Sequence, residues 1–209
     1  MENIKSTFKS SVIIIGLLSI VFQFLIASNV YAGKSVAKFN NKNEMIRPIG
    51  YREWIYIGAP LTPDDMNNGK AAFPEFHNVY IDPVSWEHWK TTGQFRDGTV
   101  IIKELVSVGS KAAHSGKGYF MGEYIGLEAV VKDKSRFPKS DKYWGFFRFT
   151  KEAHPTESNH SLSRTSRVNK SESCVACHSA NAKQDLIFTQ HYPVLRAAKA
   201  RGEQGIGGK

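Results

Sequence analysis

Cys174, Cys177 and His178 stand in the run Ser173-Cys174-Val175-Ala176-Cys177-His178, whose C-x-x-C-H spacing is that of covalent c-type haem attachment. On a helical turn, residues three and four apart share a face, so both thiols and the imidazole can meet one haem edge and its iron. Cys174 and Cys177 would become thioethers, and His178 would be the proximal iron ligand. A redox-active C-x-x-C pair and half of a zinc site are the competing readings. Zinc is disfavoured because no second ligand pair follows at finger-like spacing. A thioredoxin-like pair opens a helix after a strand, whereas this one lies near the C-terminus with histidine directly behind it. Both cysteines of the chain fall in the motif, which leaves none for a structural disulfide.

Residues 1–32 have the layout of an export signal: Lys5 and Lys9 in a basic head, an apolar run from Val12 to about Ala27, and Val30-Tyr31-Ala32 as a small-x-small cleavage site. Cleavage there would start the mature chain at Gly33. The apolar run also approaches the length of a spanning helix, so a retained anchor is the alternative. Bacteria attach haem to C-x-x-C-H outside the cytoplasmic membrane, so leader and motif both point to the periplasm.

Residues 33–209 suit a single domain with a substantial core. Losing Lys5, Lys9 and Glu2 with the leader changes the formal charge only from +9 to +8. Such a basic exterior favours acidic electron-transfer partners or anionic surfaces. Nucleic acid is disfavoured by the absence of a binding motif.

The elements that must position the motif follow from pattern. Gly50 to Gly58 is an apolar and aromatic run that reads as a strand or a helix edge. Thr62-Pro63-Asp64-Asp65 predicts a short helix ending near Gly69, and Phe76 to Ile81 a strand. Asp82-Pro83 opens a helix that Gly93 stops, with Trp86 and Trp89 as core or haem-wall residues. Thr99 to Val108 alternates as a half-buried strand: Val100, Ile102, Glu104, Val106 and Val108 share one face, and Ile101, Lys103 and Leu105 the other. In Tyr119 to Val130 one face carries Phe120, Gly122, Tyr124, Gly126, Glu128 and Val130, where the glycines would admit a flat ligand or another backbone. Glu128 would then be an ionisable group beside aromatic walls, or else an exposed strand-end carboxylate. Tyr143 to Thr150 is a further strand, Lys151 to Lys170 a polar loop, and Pro193 to Arg201 a final helix after the haem helix. The fold class expected is α+β, mainly antiparallel β-sheet with flanking helices and a C-terminal haem-binding helix.

Tyr51-Arg52-Glu53-Trp54, Asn68-Gly69-Lys70-Ala71, Val79-Tyr80-Ile81-Asp82-Pro83, Phe95-Arg96-Asp97-Gly98-Thr99, Lys103 to Gly109, Gly118 to Gly122 and Cys174 to His178 together resemble the cytochrome P-460 family across nearly the whole mature chain. The resemblance implies a homodimer whose c-type haem is additionally cross-linked to lysine. It assigns the cross-link to Lys103, the proximal ligand to His178 and a distal carboxylate to Glu128. His77 stands where the family has arginine, so the fixed charge of that cofactor-binding position is replaced by a titratable group. The implied function is oxidation of hydroxylamine to nitrous or nitric oxide at a five-coordinate iron, with electrons passed to an external acceptor such as another c-type cytochrome.

Two rival readings share the motif. A nitric-oxide-binding cytochrome of the beta-type c-prime group would keep the open iron position without turnover, and would need neither the Lys103 bond nor Glu128. By strand pattern alone, Lys103 could instead be a lysine snorkelling to solvent. A simple electron carrier would need a sixth ligand, drawn from Met121 or from His77, His88, His114, His154, His160 and His191. Strand alternation puts Met121 opposite Glu128 and favours a core role for it.

Overall fold

The computed structural model describes residues 35–150, 162–169 and 172–202. The leader over 1–32, residues 151–161 with His154 and His160, and the glycine-rich tail lie outside the described residues. In chain order the described strands are β1 (Met45–Ile46), β2 (Ile55–Gly58), β3 (Phe76–Ile81), β4 (Val100–Val108), β5 (Ala112–Ala113), β6 (Gly116–Lys117), β7 (Met121–Lys132), β8 (Trp144–Phe149) and β9 (Thr165–Ser166). The helices are α1 (Pro83–Thr92), α2 (Glu172–Asn181) and α3 (Pro193–Gly202). One antiparallel sheet runs in the order β2-β3-β4-β7-β8, so the fold is α+β with the thiol-bearing helix towards the C-terminus.

Strand β4 lies at the centre of this sheet and is covered on both sides, where its alternation predicted a half-buried strand. Val100 and Ile102 enter one layer with Met45, Leu127 and Phe149. Ile101 enters the other with Ile81, Trp89, Phe146 and Leu195, against which Cys174 and Val175 of α2 also pack. Each such aliphatic side chain contributes about 1.5–3 kcal/mol on leaving water. The strand therefore tolerates charge only where a partner waits. Glu104, 2% exposed, accepts from the Tyr51 hydroxyl at 2.5 Å and from Arg52 Nε at 2.8 Å. Burial, with Glu104 beside it, pushes the Tyr51 hydroxyl pKa up and keeps it a donor.

Helix α1 forms as its sequence predicts. Asp82 caps it by accepting from Ser85 N at 2.9 Å, Pro83 occupies the first turn, and Gly93 closes it in the left-handed region with φ 63°. Trp89 Nε1 donates to the Leu195 carbonyl at 2.9 Å, tying α1 to α3.

Other expectations need correction. Only a 3₁₀ turn, Asp64–Met66, appears where a helix to Gly69 was expected. The segment has no apolar face to bury, and Asn68 and Gly69 both take positive φ, so helix propagation has nothing to support it. Gly50 to Gly58 resolves into a 3₁₀ turn, Tyr51–Glu53, followed by β2. Part of the predicted 151–170 loop is strand, because β9 pairs with β1. Strand β7 begins at Met121 after the β5–β6 hairpin, which the pattern did not show. Its register against β4 shifts between Leu105 and Val106 and again before Val108. Tyr124 therefore pairs with Val106 and lies with Glu104 and Arg52, on the face opposite Glu128. The glycines approach the protein itself: a Cβ at Gly122 would meet Ser107 Oγ at 2.7 Å, and one at Gly126 would meet Leu105 Cδ1 at 3.1 Å. Of the two uses read for these glycines, the close approach is by the protein's own chain, β4 and the residues just beyond it, and not by a flat ligand.

Candidate functional site

The register of the central strands sets the site. Val79 pairs with Lys103, and Lys103 with Glu128, so all three side chains share one face of the sheet. His77, two residues before Val79, lies on that face as well. Lys103 Nζ stands 2.6 Å from Glu128 Oε2, and Arg148, paired with Glu128 across β7 and β8, places Nε 3.7 Å from Oε1. The carboxylate read from sequence as an ionisable group beside aromatic walls is paired with two cations. The Lys103 ammonium also lies 5.5 Å from the centre of the Phe73 ring, a cation–π distance. These contacts show why a lysine can stand among aliphatics here: the amine has a carboxylate and an aromatic face, and it is partly open to water.

Helix α2 brings Cys174 and His178 to the same layer. His178 Nδ1 donates to the Leu186 carbonyl at 2.6 Å. A carbonyl only accepts, so this contact places the ring hydrogen on Nδ1 and leaves Nε2 with its lone pair. The Leu186 carbonyl is presented by a turn in which Asp185 and Leu186 have φ of 53° and 61°, and Asp185 is fixed by an ion pair with Lys132. Phe146 and Phe188 hold the imidazole between edge-on rings, with centroids at 4.8 and 4.7 Å. Burial is the main influence lowering the His178 pKa; Lys103 adds to it, while the Leu186 hydrogen bond and Glu128 oppose it. Phe146, two residues before Arg148 on the strand face that carries Glu128, packs its ring on His178 and so joins the sheet pair's face to α2.

His77 is held neutral in the same way, first by burial and then by the Lys103 cation, against the attraction of Glu75. Its Nε2 lies 3.4 Å from Glu75 Oε1 but is not aligned for a hydrogen bond, and it is a buried atom with no such partner. Cys174 Sγ accepts from Asn169 Nδ2 at 3.3 Å; Cys177 is exposed, and the two are not joined in a disulfide.

These groups fit a covalently held haem. Two thiols stand a turn apart beside an imidazole whose Nε2 is left for a metal, and His77, on the strand face shared by Lys103 and Glu128, has a buried Nε2 that makes no hydrogen bond. Among the described residues no cluster of three or more His, Cys, Asp and Glu is placed to hold a metal ion by itself.

Two of the sixth-ligand candidates, His154 and His160, lie outside the described residues. Met121 is half-exposed, with its Sδ 3.6 Å from Asn78 Nδ2 on the Glu104 face, so it is opposite Glu128 as expected but is not a core residue. His88 lies on α1, His114 in the exposed β5–β6 turn, and His191 stacks on Phe188. Sequence reading missed Arg148, Glu75 and the Leu186 carbonyl. Arg148 alone left a signal, being the one polar residue inside the run Phe146-Phe147-Arg148-Phe149.

The family model described as Cytochrome P460 matches residues 48–189, which include β2 to β9 and the whole of α2. No curated protein matches the chain.

Proposed function

We propose that this chain, which belongs to the cytochrome P460 family of c-type haem proteins, is an exported enzyme that oxidises hydroxylamine to nitric or nitrous oxide and passes the electrons to an external acceptor. The observation that carries the reading is the Lys103–Glu128 pair, 2.6 Å apart on the sheet face whose Phe146 ring packs on His178. A passive carrier has no use for an acid–base pair on that face, whereas loss of N–H and O–H bonds requires a group that takes protons away.

Cys174 and Cys177 would hold the haem and His178 Nε2 would ligate its iron, which when bound supplies the redox centre and an open position for substrate. The chain contributes the rest. Leu186 fixes the tautomer of His178, and Phe146 and Phe188 fix its plane. Glu128 Oε1 and Oε2 accept protons from the substrate, with Arg148 and Lys103 holding the carboxylate in place. As the resemblance implies, Lys103 would in addition be the residue bonded to the macrocycle, its amine then leaving Arg148 as the cation beside Glu128. His77 binds on the same face as a neutral imidazole where the family has a fixed cation. Function as a homodimer in the periplasm completes the reading, supported by the resemblance and by the leader read from sequence.

The deciding experiment is an assay of purified holo-protein for hydroxylamine-dependent reduction of an artificial acceptor. Turnover is expected, together with a red-shifted ferrous Soret band and recovery of the Lys103 peptide joined to haem and to the Cys174 peptide. Nitric oxide binding without turnover, with Lys103 recovered unmodified, would move the assignment to the gas-binding cytochromes.

A further inference from the structure

Beside α2 the surface opens into a groove of about 810 Å³ whose lining includes Lys42, Arg148, Arg167 and Asn169. Its acids lie beneath its bases. Arg167 is 86% exposed over Glu44, which is 16% exposed, with Nε 3.0 Å from Oε1; Arg148 is 56% exposed over Glu128 at 23%. Solvent-facing charge in the groove is consequently positive, although each guanidinium has a partner. Arg136 adds a further guanidinium at the rim by donating to Asn43. The groove also touches the candidate haem site twice. Asn169 Nδ2 reaches Cys174 Sγ at 3.3 Å, and Arg148 reaches Glu128. Asn169 N further donates to the Phe146 carbonyl at 2.7 Å, and the Phe146 ring packs on His178.

We infer that this groove is the electron exit, where an oxidised acceptor with an anionic surface docks against Lys42, Arg148 and Arg167. The inference rests on the proposed reading of a haem that must be reoxidised. One electron leaves ferrous iron for each acceptor encounter, the acceptor is reduced by that electron, and no proton crosses the groove. Cationic walls raise the local concentration and approach rate of an anionic acceptor. Haem propionates are the other carboxylates that could use these cations, but they leave the macrocycle on the side away from its thioether carbons, and the groove adjoins Cys174.

The test is stopped-flow reoxidation of the dithionite-reduced holo-protein by hexacyanoferrate(III) and by the cationic tris(phenanthroline)cobalt(III), which requires no hydroxylamine. In the double variant Lys42→Glu, Arg167→Glu, the hexacyanoferrate rate at low salt should fall about tenfold and the cobalt rate should rise. Both differences should shrink at about 1 M salt, where the screening length is roughly 3 Å. Lys117→Glu, on the distant β6, controls for net charge and should leave both rates within about twofold. Arg167→Gln should give an intermediate effect with Glu44 left in place. Equal rates in the double variant and the wild type, or an equal response to Lys117→Glu, would overturn the exit. Unchanged rates with a shifted haem midpoint potential would overturn it in favour of a propionate seat. Failure of hydroxylamine turnover alone would count against the proposed enzyme and leave this result standing.

Discussion

A lysine ammonium beside a glutamate carboxylate on a packed sheet face costs less where water reaches it, and Lys103 and Glu128 are 25% and 23% exposed. If Glu128 accepts substrate protons, Glu128→Gln keeps its shape and removes its basicity. Hydroxylamine turnover should then fall by about 10²–10⁴-fold, the usual range for a general base, while haem content stays constant. Turnover at the wild-type rate would reduce Glu128 to a counter-ion for Lys103. His77 offers a second test at this scale. Its folded pKa lies below the ordinary value because burial, then the Lys103 charge, disfavour the imidazolium. The unfolded chain therefore binds the proton more readily, and the stability associated with neutral His77 is present above about pH 6.5 and lost as pH falls towards the folded value. Denaturant unfolding between pH 8 and 5 should show a steeper loss for the wild type than for His77→Gln. Parallel curves would show that His77 titrates alike in both states.

At the scale of elements, Asp82 joins α1 to the central strand. One carboxylate oxygen caps the helix through Ser85 N, and the other accepts from Val100 N at 2.8 Å, with the residue wholly buried. Asp82→Ala removes the cap and strands the Val100 amide, so a loss of about 2–4 kcal/mol is expected from equilibrium unfolding. A loss below about 0.5 kcal/mol, the level of an ordinary surface change, would mean the helix is held by Trp89 and Leu195 alone. Strand β8 shows the same dependence on fit. A Cβ on Gly145 would stand 2.5 Å from the Phe137 ring, so Gly145→Ala should cost about 1–3 kcal/mol by overpacking while leaving the Lys103–Glu128 face intact. Retention of the holo-protein's optical spectrum in that variant, alongside a lowered unfolding midpoint, would separate the two faces of the sheet.

For the whole molecule, the expected history is export, cleavage after Ala32 and covalent loading of one haem. Intact mass of the mature protein should correspond to a chain starting at Gly33 plus one haem, and replacing Cys174 and Cys177 by serine together with Lys103 by alanine should remove the haem from the denatured chain. A mass that includes residues 1–32 would instead support the retained anchor. The net positive charge, +9 for the full chain, bears on partners and on salt dependence rather than on the fold.

The candidate attachment motif is legible in the chain because C-x-x-C-H is local: helix geometry alone places the thiols and the imidazole within a turn of one another. So is α1, whose capping aspartate, first-turn proline and closing glycine are adjacent in sequence. Period-two pattern located β4 and β7, and the family resemblance singled out Lys103 and Glu128. Pattern could not show that the two side chains meet, since that depends on cross-strand register, nor that Tyr124 leaves the Glu128 face, since a bulge inverts alternation without any mark in the residue types. The Leu186 carbonyl that sets the His178 tautomer was equally hidden, because a backbone acceptor has no residue signature. Those features are decided by which segments the buried layers bring together, and only the tertiary structure fixes that.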